Sequence, residues 1–123
     1  MFANRKTIFS AFCVLVLLDA VYSDSVLIIN DGRHHAHLWC ASKDNKIGGD
    51  NGVWVEPHKS LNWHFGRKFF GGTIFWCDMD WYGQKYHWDV YRQGWWIPDP
   101  VWTIKDDGVY DIGMIRRVPL FSG

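Results

Sequence analysis

Apolar and polar positions alternate with a period of two along most of this chain, and the segments that do so predict seven short β-strands. Val26-Leu27-Ile28-Ile29 is a β-branched run ended by the turn signal Asn30-Asp31-Gly32. Ala36 to Ala41 predicts a second strand, followed by a polar loop from Ser42 to Gly52. Leu61, Trp63 and Phe65 alternate with Asn62 and His64, which gives one apolar face and one wet face. Gly66 and Gly71-Gly72 bracket a connection to Thr73-Ile74-Phe75-Trp76-Cys77, apolar on both faces as a central strand is. Tyr86 to Tyr91 alternates again, Val101 to Lys105 follows Pro98 and Pro100, and Asp106-Asp107-Gly108 turns into Val109 to Ile112. Short strands between Gly, Asp and Asn turns, with no amphipathic helix among them, predict an all-β fold: a small antiparallel β-sandwich of about seven or eight strands.

The N-terminus breaks this pattern. Arg5 and Lys6 precede the apolar run Ile8 to Leu18, Asp19 ends it, and Val21-Tyr22-Ser23 supplies residues suited to the −3 and −1 positions of a cleavage site. A membrane anchor needs roughly 20 apolar residues, about twice this run. The layout predicts a secretory signal peptide over residues 1–23 and one mature domain over 24–123, exported from the cell.

Export changes the meaning of the cysteines. Cleavage removes Cys13 and leaves Cys40 and Cys77, each inside a tryptophan-rich strand, and a lone pair of thiols in an oxidising compartment forms one disulfide. The closed loop of about 37 residues is worth roughly 4 kcal/mol by loop-closure entropy. A domain of about 100 residues is marginal without such help. Further help comes from nine tryptophans, all in the mature part. Trp63, Phe65, Trp76 and Trp102 are the expected core aromatics.

Charge narrows the partners. Of 13 basic and 13 acidic residues, the leader holds Arg5, Lys6 and Asp19, so the mature chain carries a net charge of about −1. Arg67-Lys68 and Arg116-Arg117 are the longest basic clusters, and neither makes the basic stripe of a nucleic-acid binder. Nucleic acid and anionic membranes are not expected partners.

The order of motifs resembles the plant self-incompatibility S-protein family. The resemblance lies in the opening strand ending at Asn30, then Leu38-x-Cys40-x-Ser42-Lys43-Asp44 and Trp63-x-Phe65. It continues through Thr73-Ile74-Phe75-Trp76-Cys77, Trp81, the aromatic-Asp-Val-Tyr run Trp88 to Tyr91, and Trp102-x-Ile104-x-x-Asp107-Gly108. It implies a small secreted plant β-sandwich without catalytic activity or cofactor, a monomer that acts as a ligand for a cell-surface protein receptor. Two departures stand out. Family members usually carry a second cysteine pair ahead of the tryptophan that matches Trp102, and Gly94 to Pro100 holds neither; Trp39 stands where the family often has histidine. The expected recognition surface is the three loops 42–52, 66–72 and 94–100, with Lys43, Asp44, Arg67, Lys68, Trp95 and Trp96 as contact residues.

Other chemistry finds weaker support. His35 and His37 would share a strand face, but a zinc site needs three or four ligands and nothing in sequence completes one. Asp78 and Asp80 have the types of a glycosidase pair, yet read more simply as solvated turn formers. Nucleophile-elbow, zincin and phosphate-loop motifs are absent, as is EF-hand ligand spacing. An alternative function is lectin-like carbohydrate binding on exposed loop tryptophans, with Trp54, Trp95 and Trp96 as the rings.

Overall fold

The computed structural model describes residues 23–66, 72–95, 99–111 and 118–120. The leader expected over 1–23 therefore lies outside the described residues except for its last position. Nine strands follow in order: β1 Ser23–Asn30, β2 Ala36–Ala41, β3 Lys46–Ile47, β4 Val53–Val55, β5 Ser60–Gly66, β6 Ile74–Trp81, β7 Gln84–Arg92, β8 Val101–Lys105 and β9 Gly108–Asp111. The seven expected strands are all present. The two additional ones, β3 and β4, are short segments that both hydrogen-bond to β2, in and after the expected polar loop. Two or three residues leave too little alternation to be read from sequence.

Four strands make one sheet in the order β5-β1-β8-β9, and five make the other, β3-β2-β6-β7 with β4 also on β2. All pairings are antiparallel except β1 with β8, which is parallel. The parallel pair follows from where the chain changes sheets. β7 finishes at the end of the sandwich where β1 starts, and the connection after it hands over there, with Leu27 N–H donating to the Pro100 carbonyl at 3.1 Å. β8 therefore enters alongside β1 in the same direction.

The inner faces meet in one core that includes Val26, Ile28, Leu38, Phe75, Met79, Trp88, Val90, Trp102 and Ile104. Trp63 and Trp102 are buried, and Phe65 is half-buried against Phe75 and Tyr91 with ring centroids 4.6 Å from each. Trp102 also ties the sheets together by donating its Nε1–H to the Val90 carbonyl at 3.0 Å. Its ring meets Trp88 edge-on at 6.0 Å. The expected core position of Trp76 is not what the fold adopts. Phe75 and Cys77 face inward, so Trp76 between them points to the outer face and is only half-buried.

Two local devices set the shape of the β6–β7 hairpin. Tyr82 and Gly83 form its two-residue turn with φ of 51° and 84°, the doubly positive geometry whose twist matches the flanking strands. A register shift at Phe75/Trp76 lets Val90 and Tyr91 both point inward, breaking the alternation read from Tyr86 to Tyr91. Cys40 and Cys77 sit opposite each other on β2 and β6, buried, and form the expected disulfide. It joins two strands of one sheet.

Candidate functional site

Three segments converge at the end of the sandwich where β1 and β6 begin and β2, β5 and β7 finish. Ser42 organises the first. Its N–H donates to the Asn45 carbonyl at 2.8 Å, and its hydroxyl accepts the N–H groups of Asp44 and Asn45 at 3.3 and 3.2 Å. This compact turn presents Lys43 and Asp44 to solvent. The same turn shares a recess of about 320 Å³ with Gly66, Gly72, Thr73, Ile74 and Trp76. Gly66 and Gly72 are the described ends of the second connection. Arg67 and Lys68 lie within it, outside the described residues.

The third segment starts beside the second. Thr73 and Gln93 exchange hydrogen bonds, Gln93 N–H to the Thr73 carbonyl at 2.8 Å and Thr73 N–H to the Gln93 Oε1 at 3.2 Å. It returns at Asp99, whose Oδ1 accepts from both the N–H and the hydroxyl of Ser25 on β1, at 2.9 and 3.1 Å. Trp96 falls outside the described residues. Trp95 is half-buried and packs on the core, bordering a recess with Trp88, Trp102 and Val118, so its ring is partly structural. The fold thus gathers Lys43, Asp44 and the flanks of both other loops on one surface. Trp54 stands apart on β4, 63% exposed.

Two of the histidines, His34 and His37, are engaged with rings. His34 stacks on Tyr82 at 4.0 Å, and His37 stacks between Trp39 at 3.7 Å and Trp54 at 4.1 Å. Among the described residues no group of three or more His, Cys, Asp or Glu is placed to hold a metal ion. Asp78 and Asp80 lie on the strand itself, on its outer face, each facing a basic neighbour on β7: His87 for Asp78 and Lys85 for Asp80. Asp80 also accepts the Gly83 N–H at 3.0 Å, so it does shape the turn. The hydrogen bond from Lys85 holds its carboxyl below the usual range, the opposite of what a general acid needs.

Sequence reasoning missed one organising residue. Asn30 is fully buried; its Nδ2 donates to the carbonyls of His34 at 2.8 Å and Val55 at 2.9 Å, and its Oδ1 accepts the Gly32 N–H at 3.0 Å. A turn signal gives no hint of the bond to Val55, which is 25 residues away.

The sequence matches the family described as plant self-incompatibility protein S1 over residues 25–119. A segment of 53 residues is 34% identical to S-protein homolog 2 of Arabidopsis thaliana, covering 43% of this chain and 31% of that relative. The aligned part therefore spans about a third of the relative's length. A solved structure, the NMR structure of a protein from Eubacterium rectale, superposes with a TM-score of 0.46 at 14% identity over 84% of this chain and 90% of that one.

Proposed function

The chain belongs to the plant self-incompatibility protein S1 family, and from that membership we propose that it is a secreted, non-catalytic signalling protein that binds a protein receptor on plant cells. The leader over residues 1–23 exports it, and the Cys40–Cys77 bridge suits the oxidising compartment it enters. Recognition runs through the end of the sandwich formed by the 42–52, 66–72 and 94–100 loops.

One observation carries this reading: the Ser42 turn that opens the first loop shares a recess with Gly66 and Gly72, the flanks of the second, and Gln93, just ahead of the third, is hydrogen-bonded to Thr73 at its edge. Loops held at both ends by strands of a stapled scaffold lose little entropy on binding, so their side chains select a partner efficiently. The surface presents Lys43 beside Asp44, and the sequence of the adjoining connection holds Arg67 and Lys68; charges of both signs fit a protein partner better than a polyanion.

The test is saturable binding of labelled protein to plant cell membranes, with melting measured beside it. Alanine at Lys43 and Asp44, or at Arg67 and Lys68, should weaken binding by about thirtyfold where an anchor is lost and leave melting intact. Binding unchanged in both pairs would remove the loops from the recognition surface.

A further inference from the structure

The outer face of the five-stranded sheet is built in three rows that the strand register makes explicit. One row reads Trp54, His37, Asp80, Lys85 across β4, β2, β6 and β7. The next reads Trp39, Asp78, His87, and the third Lys46, Ala41, Trp76, Asp89. In the first two rows the β4 and β2 side is therefore aromatic and the β6 and β7 side polar, and the third row adds Trp76 from β6.

The aromatic half is preorganised. Trp54, His37 and Trp39 form a continuous stack, and the His37 Nε2 lies 2.7 Å from the Asn51 carbonyl, which fixes the ring at its centre. The loop behind Trp39 can approach only because residue 52 is glycine. At its φ of 69° a Cβ would stand 2.5 Å from the Leu38 carbonyl oxygen and 2.9 Å from Trp39 Cδ1. Beyond the stack Trp39 borders a recess of about 160 Å³ with Trp76 as another wall and Lys46, Asp50 and Asp78 at its polar edge. On the other side of Trp54 a trough of about 550 Å³, lined by Val53, Val55 and Ser60 and edged by His35, Glu56 and Lys59, opens toward β5.

Each carboxylate on this face has a nitrogen-bearing side chain beside it. Lys46 contacts Asp50 at 2.6 Å, Lys85 contacts Asp80, Arg92 contacts Asp89 at 3.0 Å, and His87 Nδ1 lies 2.6 Å from Asp78. No run of like charge is left to attract an ion. What remains is a set of fixed ring faces beside carboxylates and ammonium groups, the combination that accepts the C–H faces and hydroxyls of a sugar. We propose that the outer face of this sheet, from Trp54 through Trp39 to Trp76, is a binding site for an uncharged oligosaccharide. It borders the loop surface at Trp76, Lys46 and Asp50, but its stacking rings lie away from Lys43 and Asp44: sugar rings stack on Trp39 and Trp54, and Asp78 accepts their hydroxyls.

The full chain, secreted from a eukaryotic host, is titrated with cellohexaose, xylohexaose and mannohexaose by calorimetry and tryptophan fluorescence, and sedimented with insoluble cellulose. At least one of these should bind saturably, with an affinity that does not change between low and high salt because the oligosaccharides carry no charge. Trp54→Ala and Trp39→Ala should each weaken it by about tenfold or more, and Asp78→Asn should weaken it with the shape of the site intact. Trp54 is exposed, so its variant should melt like the parent, which separates lost binding from lost folding. The Lys43 and Asp44 double variant should bind sugar normally. Absence of saturable binding to all four probes would overturn the site, as would binding that survives the combined Trp39 and Trp54 substitution. Trp54→Ala that abolishes membrane binding in a protein blind to every oligosaccharide would give this face to a protein partner instead, and would also overturn it.

Discussion

Replacing Asn30 by Asp changes one atom group at a fully buried junction and removes both hydrogens that the site depends on. Asn30 Nδ2 holds the His34 and Val55 carbonyls, and a carboxylate oxygen in the same place faces both with repulsion. The two losses are unequal. The His34 carbonyl keeps the Trp81 Nε1–H at 3.2 Å, so the larger cost falls on Val55. A buried polar group left unsatisfied costs about 1–3 kcal/mol, so one full and one partial loss come to about 2–4 kcal/mol. For a domain of about 100 residues that lowers the melting temperature by roughly 10–25 °C. Desolvation also raises the pKa of the introduced carboxyl above its value in the unfolded chain. The folded state then binds the proton more tightly, so the penalty is full at neutral pH and shrinks as pH falls through the raised value. The assay is thermal unfolding followed by tryptophan fluorescence, comparing Asn30→Asp with the parent at each pH. Asn62→Asp on the exposed face of β5 serves as control. A variant that melts within about 2 °C of the parent at pH 7, where a shift several times larger is expected, would refute the claim that this junction holds the β1 turn to β4.

Three more outcomes follow from the same packing. The secreted protein should have an intact mass starting at Asp24 and no alkylatable thiol, and Cys40→Ser or Cys77→Ser should cost roughly 4 kcal/mol and reduce secretion; two free thiols in the native protein would contradict the bridge. Trp102→Phe should destabilise more than Trp63→Phe in denaturant unfolding, because Trp102 loses its bond to the Val90 carbonyl while Trp63 Nε1 has no hydrogen-bond partner among the described residues. Melting should decline on acidification below about pH 4, the unfolded carboxyl range. The Arg33 N–H and guanidinium hold Asp106 below that range and Lys85 does the same at Asp80, so their stabilisation is present above the unfolded value and lost as pH falls through the folded one. Asp106→Asn should flatten that decline.

The period-two pattern alone determined seven of the nine strands, because alternation is a local property that a pleated backbone turns directly into an inside and an outside. It likewise placed Trp63, Phe65 and Trp102 near the core and put both cysteines in strands. Tertiary structure decided what local pattern does not carry. Trp76 reads as core because its whole run is apolar, yet with Phe75 and Cys77 inside, the pleat turns it outward to the sheet face. β3 and β4 exist because β2 offers an open edge, and two or three residues hold no readable period. The parallel β1–β8 pair depends on which end of the sandwich the chain crosses. Asn30 looks like any turn asparagine until β4 brings the Val55 carbonyl within 2.9 Å. The stack of Trp54, His37 and Trp39 joins two strands whose order in sequence says nothing of their register. Side-chain direction is set by each residue's immediate neighbours, whereas partnership is set by hydrogen bonds between distant segments, and only the folded chain brings those together.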